Sequence, residues 1–128
     1  MNLSISVPEK KIKKVLQFID KIRLLRLTIF IAIWLALVST AISFSNDLIV
    51  AYGDAESHLN IAKRVVHGLT PGFAQLGGIW LPMPHILMIP FVYFDFLWRT
   101  GLAGSIVSGF AFIVSSIFLF KLTKLLTG

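Results

Sequence analysis

The sequence predicts an all-α membrane protein. Two transmembrane helices are joined by an external loop carrying two interfacial amphipathic helices, and a basic helix on the cytoplasmic leaflet precedes them. Three observations predict this. Of 128 residues, 56% are hydrophobic and only 14% charged, too few charges to coat a water-soluble globule. Two stretches, Leu27 to Asn46 and Thr100 to Phe120, have no ionisable side chain; at about 1.5 Å per residue, each is long enough to cross a hydrocarbon core of roughly 30 Å. The net charge of +6 is concentrated at the two ends of the chain.

Residues 1–26 form the basic leader, with Lys10, Lys11, Lys13, Lys14, Lys21, Arg23 and Arg26 against Glu9 and Asp20. Ile12, Val15, Leu16, Ile19, Ile22 and Leu25 recur at the three-and-four spacing of one helix face, which predicts a helix lying on the inner leaflet. Its cations serve as a topogenic anchor, and attraction to anionic lipid is the sharper alternative. Nucleic acid is not an expected partner: the basic residues abut a span and no aromatic stacking platform accompanies them.

The first span, 27–46, is longer than the apolar core of a signal peptide and no small-x-small cleavage site follows it, so it reads as an uncleaved anchor. With Lys121 and Lys124 in the end segment 121–128, both termini belong in the cytoplasm and the loop 47–99 outside, as expected of the plasma membrane. The absence of cysteine removes disulfides, thiolate metal ligands and a thiol nucleophile.

Within the loop, a helix is expected near 54–67, with Asp54 as N-cap and Gly68 as terminator. Ala55, Leu59, Ala62 and Val66 share one face, and Glu56, Asn60, Lys63 and His67 another. A carboxylate at a helix N-terminus meets free backbone donors and the positive dipole end, which favours the ionised form suited to a base or a metal ligand. His58, one turn on, is placed to hydrogen-bond Asp54 or share a metal with it. On spacing alone, a plain cap and an ordinary polar helix residue remain the simpler readings. Ile79 to Phe94 is a third apolar run, interrupted by Pro82, Pro84 and Pro90. It predicts a helix near 84–98, too short to span, with Trp80, Tyr93 and Trp98 at headgroup depth. His85 either anchors that segment at the headgroups or contacts a substrate. The second span, 100–120, carries Gly101, Ser105 and Gly109 at four-residue intervals, which allows another helix to approach closely.

These features together resemble the start of the GT-C integral-membrane glycosyltransferases, in particular the relatives of protein O-mannosyltransferases and lipid A aminoarabinose transferases. The matching segments are Gly53-Asp54-Ala55-Glu56 with Asn60-Ile61-Ala62-Lys63-Arg64, Trp80-Leu81-Pro82-Met83-Pro84-His85-Ile86-Leu87, and Trp98-Arg99-Thr100-Gly101-Leu102-Ala103-Gly104-Ser105. The likeness covers nearly all of the chain from residue 27. It departs in separating the two carboxylates by Ala55, where the family usually has them adjacent, and such enzymes have many more spans. The resemblance therefore implies an N-terminal module, inactive alone, with missing transmembrane helices or a partner subunit completing it.

What the resemblance implies chemically is sugar transfer from a polyprenyl-phosphate carrier. Asp54 is then the base on the acceptor hydroxyl, Glu56 its helper, Lys63 or Arg64 the contact to the carrier phosphate, and His58 and His85 substrate-binding groups. A more distant likeness to oligosaccharyltransferase catalytic subunits makes Asp54 a ligand to a divalent metal instead; the metal-free version is preferred. The other reading is a small non-catalytic membrane protein or accessory subunit, in which Asp54 only caps a helix.

Overall fold

The computed structural model describes residues 9–76 and 80–127. Its elements are α1 (Glu9–Ser45), α2 (Gly53–His67), a 3-10 turn at Phe73–Leu76, α3 (Pro82–Val92), α4 (Asp95–Arg99) and α5 (Leu102–Thr127). Among the described residues there is no strand.

α1 runs without a break through the expected boundary at residue 26. A leader helix lying on a membrane surface and a separate span from 27 is therefore corrected to one rod of 37 residues, whose part long and apolar enough to cross a membrane is Ile19–Ser45. No proline or glycine lies in Glu9–Ser45 to interrupt the ladder, and helix propagation wins across the change from basic to apolar sequence. The expected leader residues 1–8 lie outside the described residues. α1 ends in a double closure: the Leu48 amide donates to the Ser43 carbonyl at 2.8 Å and the Asp47 amide to that of Phe44 at 3.3 Å. Asp47 takes the left-handed conformation this motif requires, φ 55°.

The second crossing-length helix is α5, 26 residues, so it begins and ends later than the expected 100–120 and continues through Lys121 and Lys124. Both long helices show apolar side chains outward, among them Phe30, Leu37, Phe110 and Phe118. Hydroxyls on them return to carbonyls one turn back, such as Thr28 to Leu24 and Ser116 to Phe112, which satisfies them without water. α5 packs along α1, and a Cβ at Gly109 would stand 3.6 Å from the Ala36 methyl. The four-residue small-side-chain spacing thus does what the sequence suggested.

α2 follows expectation closely in length but not in its cap. The cap position is Tyr52, in extended conformation and with no side-chain cap bond, so Asp54 is the second helical residue rather than the N-cap. Its apolar arc is also wider than expected: Ile61 and Val65 are buried against Leu76, besides Leu59 and Ala62. Gly68 does end the helix, its amide donating to the Arg64 carbonyl at 3.0 Å.

The single helix expected near 84–98 is two helices. α3 stops at Val92, Phe94 is extended at φ −83° and ψ 110°, and α4 restarts at Asp95. At 11 residues, α3 is about 16 Å long, well short of a span. The interruption turns Asp95, Trp98 and Arg99 back towards α2.

Ala103 in the first turn of α5 is fully buried among Leu59 and Ala62 of α2 and Met88 and Val92 of α3. The connection into α5 is as tight. Gly101 has φ +77°, and a Cβ there would meet the Ile49 side chain and lie 2.8 Å from Val50. Gly101→Ala is therefore expected to lower stability by about 2 kcal/mol or more, from left-handed backbone cost plus overpacking. Thermal unfolding in detergent measures this, and an unchanged midpoint would show the contact to be slack.

Candidate functional site

α2 and α3 face each other through apolar contacts at one level and through two imidazoles at another. His58 Nδ1 lies 2.7 Å from His85 Nε2, and the rings stack at 30° with centroids 4.9 Å apart. Trp80 meets His58 edge-on at 4.8 Å. Sequence reasoning placed both histidines among the substrate-binding candidates but paired His58 with Asp54. The structure corrects this, because His58 turns to α3, 27 residues away in sequence.

His85 is completely buried, and its Nδ1 has no hydrogen-bond partner. Burial, helped by the charge that His58 would carry, holds His85 below its ordinary value of 6.5, so it is neutral near pH 7. When both imidazoles are neutral the pair carries two N–H protons, and one occupies the bond between them. A second proton on His85 Nδ1 would be a buried donor without an acceptor, rarer and costlier than a bare lone pair. The network thus assigns His85 Nε2–H as donor to His58 Nδ1 and leaves the other N–H on His58 Nε2.

His58 is also where the loop meets the long helices. It lines a cleft of about 610 Å³ between α1 and α5, with Ala55, Leu59, Pro84 and Met88 beside it. Asp54 is half-buried on the same side of α2 as His58, since four residues turn a helix by roughly 400°. Glu56 is exposed and about 200° round from Asp54, so the two carboxylates do not share a face. Neither has a hydrogen bond or ion pair among the described residues.

Lys63 is occupied. Its ammonium donates to the Val92 carbonyl at 2.9 Å and to Asp95 Oδ1 at 3.1 Å, and sits 4.7 Å from the centre of the Trp98 ring. Arg99 holds the other oxygen of Asp95 at 2.8 Å, and the Trp98 indole donates to Asn60 Oδ1 at 3.2 Å. Hydrogen bonds from Arg99 and then Lys63 keep the Asp95 carboxyl below its usual range. These contacts tie α4 to the side of α2 that carries Asn60 and Lys63. Asp95 itself was missed; its four-residue spacing to Arg99 was the available signal. Arg64 is exposed on α2.

Among the described residues, no group of three or more histidine, aspartate or glutamate side chains converges on a point that could hold a metal ion. The two facing imidazole nitrogens are closer than two ligands on one zinc would stand, about 3.3 Å from bond lengths near 2.05 Å. They bond each other instead.

Comparison with protein-family models, curated proteins and solved structures finds no match to this chain.

The imidazole pair gives the docking of α2 on α3 a pH dependence. His85 binds its proton more weakly folded than unfolded, so its contribution is present above about 6.5 and lost as pH falls through the lower folded value. Asp95 adds a loss in the same direction, below its ordinary 3.8. Hydrogen exchange of α2 and α3 amides, corrected for the intrinsic pH effect, is expected to accelerate between pH 7 and pH 5, relative to α1 and α5. In His85→Phe this differential should vanish; persistence there would place the titration elsewhere.

Proposed function

We propose that this chain supplies the first two membrane spans and the first external loop of a glycosyltransferase that takes its sugar from a polyprenyl-phosphate carrier. Both termini lie in the cytoplasm, α2 to α4 lie at the outer surface of the plasma membrane, and further transmembrane helices complete the catalytic cavity. The observation that carries the reading is the placement of Asp54 and His58 on one side of α2, with His58 lining a cleft between two helices of crossing length. This is where a membrane-borne hydroxyl and an ionised carboxylate can meet.

Asp54 takes the proton of the acceptor hydroxyl as its oxygen attacks the anomeric carbon. The bond from that carbon to the carrier phosphate breaks, polyprenyl phosphate leaves, and the configuration inverts. His58 is the better companion for Asp54 than Glu56, because it shares the face. Lys63 holds α4 in place through Asp95, which leaves Arg64 as the exposed cation of that pair for the carrier phosphate. The metal-free mechanism is the one proposed; a divalent ion on Asp54 would need ligands from other segments.

The test is sugar transfer from a polyprenyl-phosphate donor in liposomes, with the chain assayed alone and joined to whatever reading frame follows it. Transfer is expected only from the joined protein. Asp54→Asn should lower its turnover about 10² to 10⁴-fold, the usual range for a general base, whereas Glu56→Gln should cost far less. Near-normal turnover in Asp54→Asn would remove Asp54 from the chemistry, and absence of transfer by the joined wild type would favour the accessory-subunit reading.

A further inference from the structure

The cleft between α1 and α5 has a chemical character of its own. Besides apolar residues and glycines, it is lined by Ser39, Thr40 and Ser43 of α1, by Ser105 and Ser108 of α5 and by His58 of α2. No Lys, Arg, Asp or Glu lines it.

Elsewhere in the fold, serine and threonine hydroxyls are bonded. Thr28, Ser45, Ser57, Thr100, Ser116, Thr123 and Thr127 each donate to the carbonyl one turn back, and Thr70 Oγ1 accepts from Gln75. The five cleft hydroxyls make no hydrogen bond among the described residues, and outside the cleft only Ser115 shares that state. Five of the six free hydroxyls thus line this cleft, whereas a second pocket along α5 has the free Ser115 beside the bonded Ser116. A free hydroxyl facing an apolar medium costs about 1–3 kcal/mol, so five in one cleft describe a surface awaiting a hydrogen-bonding occupant.

The nearby charges exclude an anion. Lys63 and Arg99 are both spent on Asp95, and Arg64, six residues from His58, is rotated about 120° away from it on α2. The nearest ionisable neighbour of His58 on its own face is Asp54, which repels a phosphate. An apolar helix filling the cleft would leave the hydroxyls and the His58 N–H unpaired. A neutral alcohol satisfies both kinds of group, donating to one hydroxyl oxygen and accepting from another. The walls that continue to Leu35 and Phe112, on helices of crossing length, suit a hydrocarbon tail.

The geometry points to a binding site for a neutral lipid alcohol, its hydroxyl at His58 and its chain between α1 and α5, with His85 as the positioning residue that presents the His58 N–H. Under the proposed transferase this alcohol is the acceptor, and only that designation rests on the transferase reading. The carrier phosphate then stays outside the cleft.

Because the native chain has no cysteine, Leu48→Cys, at an exposed cleft-lining position that carries no hydroxyl, provides a single thiol there. Its alkylation by a water-soluble maleimide is followed with the full chain in liposomes, alone or with farnesol, farnesyl monophosphate or the saturated hydrocarbon of the same length. Farnesol at about ten times its dissociation constant is expected to slow labelling about tenfold by mass action, with the monophosphate and the hydrocarbon each well below that. His58→Phe in the same background should abolish the farnesol effect, and His58→Gln, which keeps a donor, should retain part of it. Unchanged helical circular dichroism identifies the folded variants. Equal or better protection by the monophosphate would overturn the proposal in favour of a phosphate site. No protection by farnesol would overturn it too, as would a thiol that never labels because another helix or a second copy fills the cleft. Farnesol protection without sugar transfer would sink the transferase and leave the alcohol site standing; transfer without protection would do the reverse.

Discussion

The meeting of α2 and α3 with α5 rests on one small contact. Ala103 is buried completely at the start of α5, where Leu59 and Ala62 close over it from α2 and Met88 and Val92 from α3. A methyl group is the whole side chain, so α2 and α3 come close to the backbone of α5. This proximity brings His58 to the wall of the α1–α5 cleft. Gly101 performs the companion task two residues earlier, passing beneath Ile49 and Val50 in a conformation other residues resist. Small residues here carry the architecture, and the large apolar ones largely point outward.

A second layer of polar contacts fixes the adjoining face of α2. Asp95 receives both Lys63 and Arg99, and Trp98 lies under both cations while its indole reaches Asn60. Lys63 keeps only 15% side-chain exposure, so this ion pair is less open to solvent than the Arg99 pair, and removing Asp95 would strand a partly desolvated ammonium. The apolar clamp and this polar latch hold α2 on adjoining faces, since Lys63 stands one turn on from Leu59, and the imidazole couple joins α2 to α3.

Much of this was legible in the sequence. The two crossing-length helices follow from uninterrupted apolar runs, α2 from its periodicity and Gly68, and the shortness of α3 from its prolines. Periodicity is local, and what it missed was set by contacts distant in sequence. Nothing near His58 announces His85, and the four-residue spacing to Asp54 suggested a different partner. The break at Phe94 was missed because an all-apolar segment gives no phase to read, and the cap was misplaced because Gly53 helically precedes the residue with the better capping side chain. At the other end, a change from basic to apolar sequence was read as a change of element, although a helical backbone needs no break where only the side chains change.

That unbroken α1 has a mechanical consequence. Thirty-seven helical residues make a rod of about 55 Å, nearly twice a hydrocarbon thickness of roughly 30 Å. If its Ser45 end stays where the double closure at Asp47 turns the chain, roughly two dozen ångströms of rod must tilt within the bilayer or stand clear of it. With no proline or glycine between Glu9 and Ser45, the helix has no hinge where basic sequence gives way to apolar, so a tilt of one part is passed to the other.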